Sequence, residues 1–197
     1  MRAAPTPRRH GFTLVELMIV VMIVGVLAML AIYGVRKYVS NAKSAEARNS
    51  LGQIGKDATT AFERESMAAI VLSKGAATAA TRALCASATQ TVPAAITSVK
   101  GKKYQANSAP GTDWNVDESK NKGFACLKFA IQAPQYYEYN YTSDGDVTVP
   151  TMGTKFTAIA NGDLNGDGVL STFQVLGAVA SNNLYTSPNI METNPEE

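Results

Sequence analysis

The sequence predicts an α+β fold, in which a long N-terminal α-helix packs on a small antiparallel β-sheet. Three observations predict it: an unbroken apolar block near the N-terminus, a helical spacing of apolar residues after that block, and strand-like runs separated by turn residues beyond position 122. A chain of 197 residues has room for such a helix and for one domain with its own core.

The first eleven residues have the composition of a basic leader. They contain Arg2, Arg8, Arg9 and two prolines, and a flank of this kind stays on the cytoplasmic side of a membrane. We expect residues 1–11 to be cleaved and exclude them from the fold. Removing these three of the 18 Lys and Arg residues leaves 15 against 16 Asp and Glu. A product this close to neutrality lacks the basic surface that nucleic-acid binding requires, so no nucleic acid is predicted as a partner.

Residues 12–35 form a block of 24 residues with a single ionisable side chain, Glu16. This length is enough for a helix that crosses a bilayer, so the block is predicted to be transmembrane. A carboxylate in such a helix costs about 2.5–3.5 kcal/mol on insertion scales and therefore usually has a partner. An ordinary signal peptide has a shorter apolar region and a small residue at its end, whereas here Gly11 precedes the block.

Helical periodicity continues beyond residue 35, with charged residues on much of the opposite side. The apolar positions of this amphipathic half are Val35, Val39, Ala42, Ala47, Leu51, Ile54, Ala58 and Phe62. The pattern predicts one helix from about Phe12 to about Leu72, whose amphipathic half covers residues 36–74. Gly52 and Gly55 each cost about 1 kcal/mol relative to Ala, so packing against other elements must hold this part of the helix.

Residues 75–197 are predicted to form a globular head. Its first part, 76–122, is predicted to form a short helix followed by a loop. The strands are then predicted at 124–131, 136–142, 156–160 and 169–176, with turns at 143–146 and 162–168 and an irregular tail after residue 180. Four tyrosines lie in the second of these runs: Tyr136, Tyr137, Tyr139 and Tyr141. A half-buried sheet face explains them better than a ligand-stacking surface.

Two cysteines, Cys85 and Cys126, lie beyond the apolar block. If the block anchors the chain with its basic end in the cytoplasm, both thiols reach an oxidising compartment. We expect a disulfide rather than two separate buried thiols, and a loop of this length contributes about 4 kcal/mol.

A partial calcium-binding pattern occupies the second turn region. Asp163, Asn165, Asp167 and Ser171 stand at places one, three, five and nine of an EF-hand-type loop, but Gln174 replaces the closing glutamate. The same residues are good turn formers, so calcium is a possible cofactor and a plain turn is the alternative. A short basic run at 100–103 is expected to be a solvated loop, with contact to a polyanion as its alternative.

The segment 11–21, Gly-Phe-Thr-Leu-Val-Glu-Leu-Met-Ile-Val-Val, resembles the cleavage and methylation signature of type IV pilins. The resemblance implies a pilin-like fold, cleavage by a prepilin peptidase between Gly11 and Phe12, N-methylation of Phe12, and a requirement for Glu16 in assembly. Residues 33–38 and 45–50 are similar to pilins of myxobacterial type IVa. The family commonly carries a proline at the position of Tyr33, so the resemblance does not extend to a proline kink.

The resemblance also implies a location and partners. The precursor is expected in the inner membrane and the processed subunit in an extracellular surface filament. Its partners would be copies of itself, the peptidase and the pilus assembly machinery. The filament would serve adhesion, motility or uptake.

Catalysis is not expected. The single histidine, His10, lies in the predicted leader, which removes Ser/His and Cys/His nucleophile systems and histidine-ligated metals from the processed chain. No glycine-rich loop follows a strand and opens a helix, so no nucleotide site is predicted. Two alternatives to a pilus subunit remain at this point: a type II secretion pseudopilin, and a monomeric membrane-anchored protein that binds a ligand.

Overall fold

The computed structural model describes residues 11–64, 66–67, 80–144 and 153–197. The chain divides into two compact units, Met1–Val39 and Ser40–Glu197. Three short 3-10 helices lie at Ile96–Ser98, Asp113–Asn115 and Glu118–Lys120. The other elements are α1 (Leu14–Glu63), β1 (Ser66–Met67), β2 (Ala80–Thr81), α2 (Gly123–Leu127), β3 (Glu138–Ser143), β4 (Lys155–Gly162), β5 (Ser171–Ala180), β6 (Asn183–Thr186) and β7 (Met191–Thr193).

The first unit holds the apolar part of α1. Thr13 caps the start of the helix, because its Oγ1 accepts the backbone N–H of Glu16 at 3.2 Å. Every side chain from residue 11 to residue 39 is exposed. Among the described residues, α1 is the one helix long and apolar enough to cross a membrane, with a mean hydropathy of 2.8 over 18 residues. The predicted long apolar helix is therefore confirmed.

The predicted end of this helix was wrong. We expected it at about Leu72, but α1 ends at Glu63. The backbone of β1 then pairs with β2, with Ser66 opposite Thr81 and Met67 opposite Ala80. A paired strand requires extended backbone, so tertiary pairing overrides the helix propensity of this segment. The stop signal proposed at 73–75 lies outside the described residues.

Within the second unit, one face of α1 packs on the sheet and forms part of the core. Of the predicted apolar face, the buried members are Ala47, Leu51, Ile54, Ala58 and Phe62, whereas Val35, Val39 and Ala42 are exposed. A Cβ placed on Gly55 would lie 3.7 Å from Val175 Cγ1 on β5, which shows how closely the helix approaches the sheet.

The sheet is antiparallel with the order β3-β4-β5-β6, and β7 pairs with another part of β5. The strands predicted at 136–142, 156–160 and 169–176 correspond to β3, β4 and β5. Tyr137, Tyr139 and Tyr141 are fully buried on the inner face. Tyr141 stacks on Phe156 with ring centroids 5.6 Å apart. The interpretation of these tyrosines as a sheet face is confirmed, and it assigns three of them to the core.

A strand was predicted at 124–131, but the structure has the short helix α2 there. Gly123, its first residue, and Lys128, which follows it, both have positive φ angles, +50° and +62°, and these reverse the chain at each end. Phe124 and Leu127 are buried three residues apart, a helical spacing, and Phe124 packs edge-on against Trp114 at 4.8 Å. Burial of these side chains in the core decides between helix and strand at this position.

The tail after residue 180 was predicted to be irregular, and this was also wrong. Ser181 and Asn182 have φ angles of +49° and +64°, typical of a two-residue hairpin turn. The turn pairs β6 with the end of β5, where Leu184 is buried opposite Val179.

Two minor predictions fall partly on residues that are not described. The short helix expected at the start of 76–122 lies partly outside the described residues, and Ala80–Thr81 form β2 instead. The turn at 143–146 is described only as far as residue 144.

Gly177→Ala should destabilise the second unit, because a Cβ at Gly177 would lie 2.2 Å from Cε1 of the buried Phe156. Overpacking of this kind costs about 1–3 kcal/mol. The matched control is Gly52→Ala, whose Cβ meets nothing within 4 Å and which should raise the free energy of unfolding by about 1 kcal/mol. Denaturant unfolding of the three proteins measures both effects. A Gly177→Ala protein as stable as wild type would contradict this packing.

Candidate functional site

The predicted processing junction lies at the N-terminal edge of α1. Gly11, Phe12 and Thr13 precede the helix and are exposed, and Phe12 is 83% exposed. A Cβ on Gly11 would meet nothing within 4 Å. The peptide bond between Gly11 and Phe12 is therefore accessible and lies outside helical hydrogen bonding. Cleavage there and methylation of Phe12 stay predictions.

Glu16 lies in the first turn of α1, surrounded by exposed apolar side chains. A negative charge at this end of a helix interacts favourably with the helix dipole and the first free N–H groups. It is the one acidic side chain among residues 11–39. The part of Glu16 in assembly stays a prediction.

Tyr33 occupies an uninterrupted stretch of α1. Gly25 and Gly34 are also helical, and a Cβ on either would meet nothing within 4 Å. The described chain therefore contains no contact that requires glycine at these two positions.

The predicted disulfide between Cys85 and Cys126 is confirmed. Its Cα atoms are 5.8 Å apart and it joins residues separated by 41 positions. Beside it, Arg64 donates from Nη2 to the carbonyl oxygen of Cys126 at 3.2 Å, so the residue that follows α1 is tied to the closed loop.

The possible calcium ligands are only partly brought together. Asp163, Asn165 and Asp167 share one loop, whereas Ser171 is fully buried at the start of β5 with its Oγ 3.5 Å from the hydroxyl of Tyr137. In the part of the chain that the structure describes, no group of three or more His, Cys, Asp or Glu is placed to hold a metal ion. Calcium binding stays a prediction.

The loop has an organisation of its own, centred on Asp163, which is 2% exposed. Its Oδ1 accepts the N–H of Gly166 at 2.6 Å, and its Oδ2 accepts the N–H of Gly168 at 3.0 Å. Lys100 Nζ lies 3.7 Å from Oδ2. Gly166 and Gly168 have φ angles of +84° and +96°, which favour glycine. Asp163 therefore acts as the internal acceptor that holds the turn.

The basic run at 100–103 is exposed, as the solvated-loop interpretation requires. Lys103 Nζ lies 4.8 Å from the ring centroid of Tyr136, and Lys43 Nζ lies 5.0 Å from the same centroid. The loop is thus attached to the head through a side chain of the tyrosine run.

Sequence reasoning missed two charged residues on α1 that fasten it to the rest of the head. Arg48 makes a bidentate pair with Glu192 of β7, with Nε–Oε1 at 2.6 Å and Nη2–Oε2 at 2.9 Å. Glu46 Oε1 accepts the N–H of Tyr136 at 2.9 Å and the hydroxyl of Tyr139 at 3.3 Å. Burial raises the pKa of Glu46 above its ordinary value, although these hydrogen bonds oppose the rise. The pairs join residues 90 or more positions apart, so no local pattern signals them.

The comparisons with known proteins concern the N-terminal region of the chain. Residues 6–32 match the family model of the prokaryotic N-terminal methylation motif. The N-terminal region carries a prepilin-type motif. In the same region the chain is similar to the type IV major pilin protein PilA of Myxococcus xanthus, with 51% identity over 45 residues. These residues are 23% of this chain and 20% of that pilin, so the match spans about a fifth of the relative. No solved structure matches. The resemblance seen in residues 11–21 is confirmed.

Asp163→Asn should destabilise the head even in the presence of a chelator, because an amide nitrogen would then face one of the two glycine N–H groups. Loss of a buried acceptor costs about 1–3 kcal/mol. The measurement is the melting temperature of wild type and variant with chelator and with millimolar calcium. If the loss appeared only with calcium present, the loop would be a metal site rather than a self-contained turn.

Proposed function

We propose that this chain is the precursor of a type IV pilus subunit. It is cleaved between Gly11 and Phe12, methylated on the new N-terminal amine, held in the inner membrane by residues 12–35, and assembled into a surface filament through that segment. The single observation that carries the proposal is the coincidence of the methylation motif, residues 6–32, with an exposed apolar helix. The role is structural rather than catalytic.

The membrane stage follows from the length of the apolar helix. At 1.5 Å per residue, residues 14–35 extend over about 33 Å, which covers a hydrocarbon core of about 30 Å. The basic leader favours the cytoplasmic side, so residues 40–197 are exported. Export is consistent with the disulfide between Cys85 and Cys126.

The filament stage follows from the same surface. Outside the bilayer an apolar surface of this size needs a protein cover, and copies of the same helix supply one. Contacts between different surfaces of identical subunits give an open helical polymer when the rotation does not close a ring. The resulting filament would serve adhesion, motility or uptake, with the prepilin peptidase and the pilus assembly machinery as partners.

Glu16 supplies the specificity of this assembly. Cleavage after Gly11 creates an ammonium at Phe12, four residues before Glu16. In a stack of offset helices the carboxylate of one subunit meets the amine of a neighbour, and the two charges are buried together. Removing one member of such a pair leaves the other charge uncompensated, which is strongly destabilising.

Glu16→Leu should therefore enter the membrane at least as well as wild type, because it removes a charge from the apolar helix. Its filament yield should fall more than about tenfold, because an unpaired ammonium must enter the fibre core. The measurement is the ratio of sheared surface filament to membrane-held subunit, with the variant as the only copy. Met18→Leu is the matched control, since it changes a neighbouring apolar residue and keeps the charge.

The outcomes also separate the alternatives. Wild-type filament yield from Glu16→Leu would contradict the pairing. A cleaved wild-type subunit without surface filaments would favour a type II secretion pseudopilin. An uncleaved wild-type chain without filaments would favour a monomeric anchored binding protein.

A further inference from the structure

The loop at 163–168 contains an Asn-Gly pair, Asn165-Gly166, and a second pair, Asn161-Gly162, lies four residues earlier in β4. In an Asn-Gly sequence the backbone nitrogen of glycine can attack the side-chain carbonyl carbon of asparagine, because glycine has no side chain that hinders the approach. The two pairs have the same sequence chemistry but different surroundings, which makes one a control for the other.

We propose that Asn165 is a site of spontaneous self-modification in the folded protein. The nitrogen of Gly166 forms a bond to Cγ of Asn165 and loses its proton, and Nδ2 leaves as ammonia, which carries that proton away. Water then opens the cyclic imide and leaves aspartate or isoaspartate at position 165. Water is the only other reactant.

The first supporting contact concerns the attacking nitrogen. The N–H of Gly166 donates to Oδ1 of Asp163 at 2.6 Å, and Asp163 is almost fully buried. A carboxylate held against this N–H raises the electron density on nitrogen and is positioned to take its proton, as a general base does.

The second contact concerns the oxygen on which negative charge develops. Oδ1 of Asn165 accepts the backbone N–H of Asp167 at 2.9 Å. A backbone donor fixed at this oxygen stabilises the tetrahedral intermediate in the way an oxyanion hole does. In sequence, the proposed base, Asp163, precedes the reacting pair Asn165-Gly166, and the oxyanion donor, the N–H of Asp167, follows it.

Asn161-Gly162 has different surroundings: Oδ1 of Asn161 accepts from the side-chain hydroxyl of Thr172 at 2.9 Å rather than from a backbone N–H in its own turn. Both residues belong to the ladder between β4 and β5, with Asn161 opposite Thr172 and Gly162 opposite Ser171. Gly162 is buried beneath Tyr137, where a Cβ would lie 2.7 Å from the ring. Extended backbone held in a ladder cannot bring the glycine nitrogen to the asparagine side chain, so the fold protects this pair.

The modification would change the contacts of the chain end. Nδ2 of Asn165 donates to Oε2 of Glu197 at 2.6 Å and to Oδ2 of Asp167 at 3.1 Å. A carboxylate at position 165 removes both donors and places like charges side by side, so the last residues should separate from the loop.

The test is peptide mapping by mass spectrometry of the purified full-length chain, aged at neutral pH with a chelator present. Conversion at Asn165 should be at least about tenfold faster than at Asn161. This factor is smaller than the rate enhancement that a positioned general base typically gives. Conversion at Asn165 should also be faster in the folded protein than in the same chain unfolded in guanidinium. In water enriched in heavy oxygen, the product should gain one heavy atom.

Two results would overturn the proposal: equal rates at Asn165 and Asn161 in the folded protein, or a slower rate at Asn165 when folded than when unfolded. Asp163→Asn should lower the rate at Asn165 while leaving Asn161 unchanged. If this variant fails to fold, the wild-type comparison still decides. Asn165→Asp reproduces the aspartate product, and it should speed hydrogen exchange of residues 194–197 relative to wild type.

Discussion

The function that we propose depends on one constraint: the exposed apolar surface of residues 12–35 must be covered. Each of these side chains is exposed, and the one carboxylate among them, Glu16, lies in the first turn of the helix. An exposed apolar surface of this size is unfavourable in water, and we propose that lipid covers it first and other copies of the chain cover it afterwards. If a subunit moves from the bilayer into a filament, a charge that is unfavourable in lipid but paired in the filament would favour the move. In the function that we propose, Glu16 meets this requirement through the amine that cleavage would create at Phe12.

The second unit has a core and cross-links of its own. The disulfide between Cys85 and Cys126 closes a loop that also supplies Trp114 and Phe124 to the core. The pair between Arg48 and Glu192 fastens the last strand to α1. The sheet, the helix face and these two closures hold residues 40–197 together.

The sequence was informative where its patterns are local. The apolar run and the alternation of Tyr137, Tyr139 and Tyr141 each depend on neighbouring residues, and the structure confirms both. Two of the misses depend on distant partners: β1 ends the helix early by pairing with β2, and β7 exists because it pairs with β5. The processing junction was visible as a motif. The hydrogen bonds of Asp163 could not be predicted from the sequence, because the same residue types form both a plain turn and a calcium-binding loop.

The most direct test of the central claim is mass analysis of the N-terminus in filaments sheared from cells that express this chain. We expect the main subunit to begin at Phe12, to carry a methylated amine and to contain the intact disulfide. A filament subunit that retains residues 1–11, or a chain cut within the apolar segment near Ala31, would contradict the account. In either case residues 12–35 would not be the assembly helix that we describe.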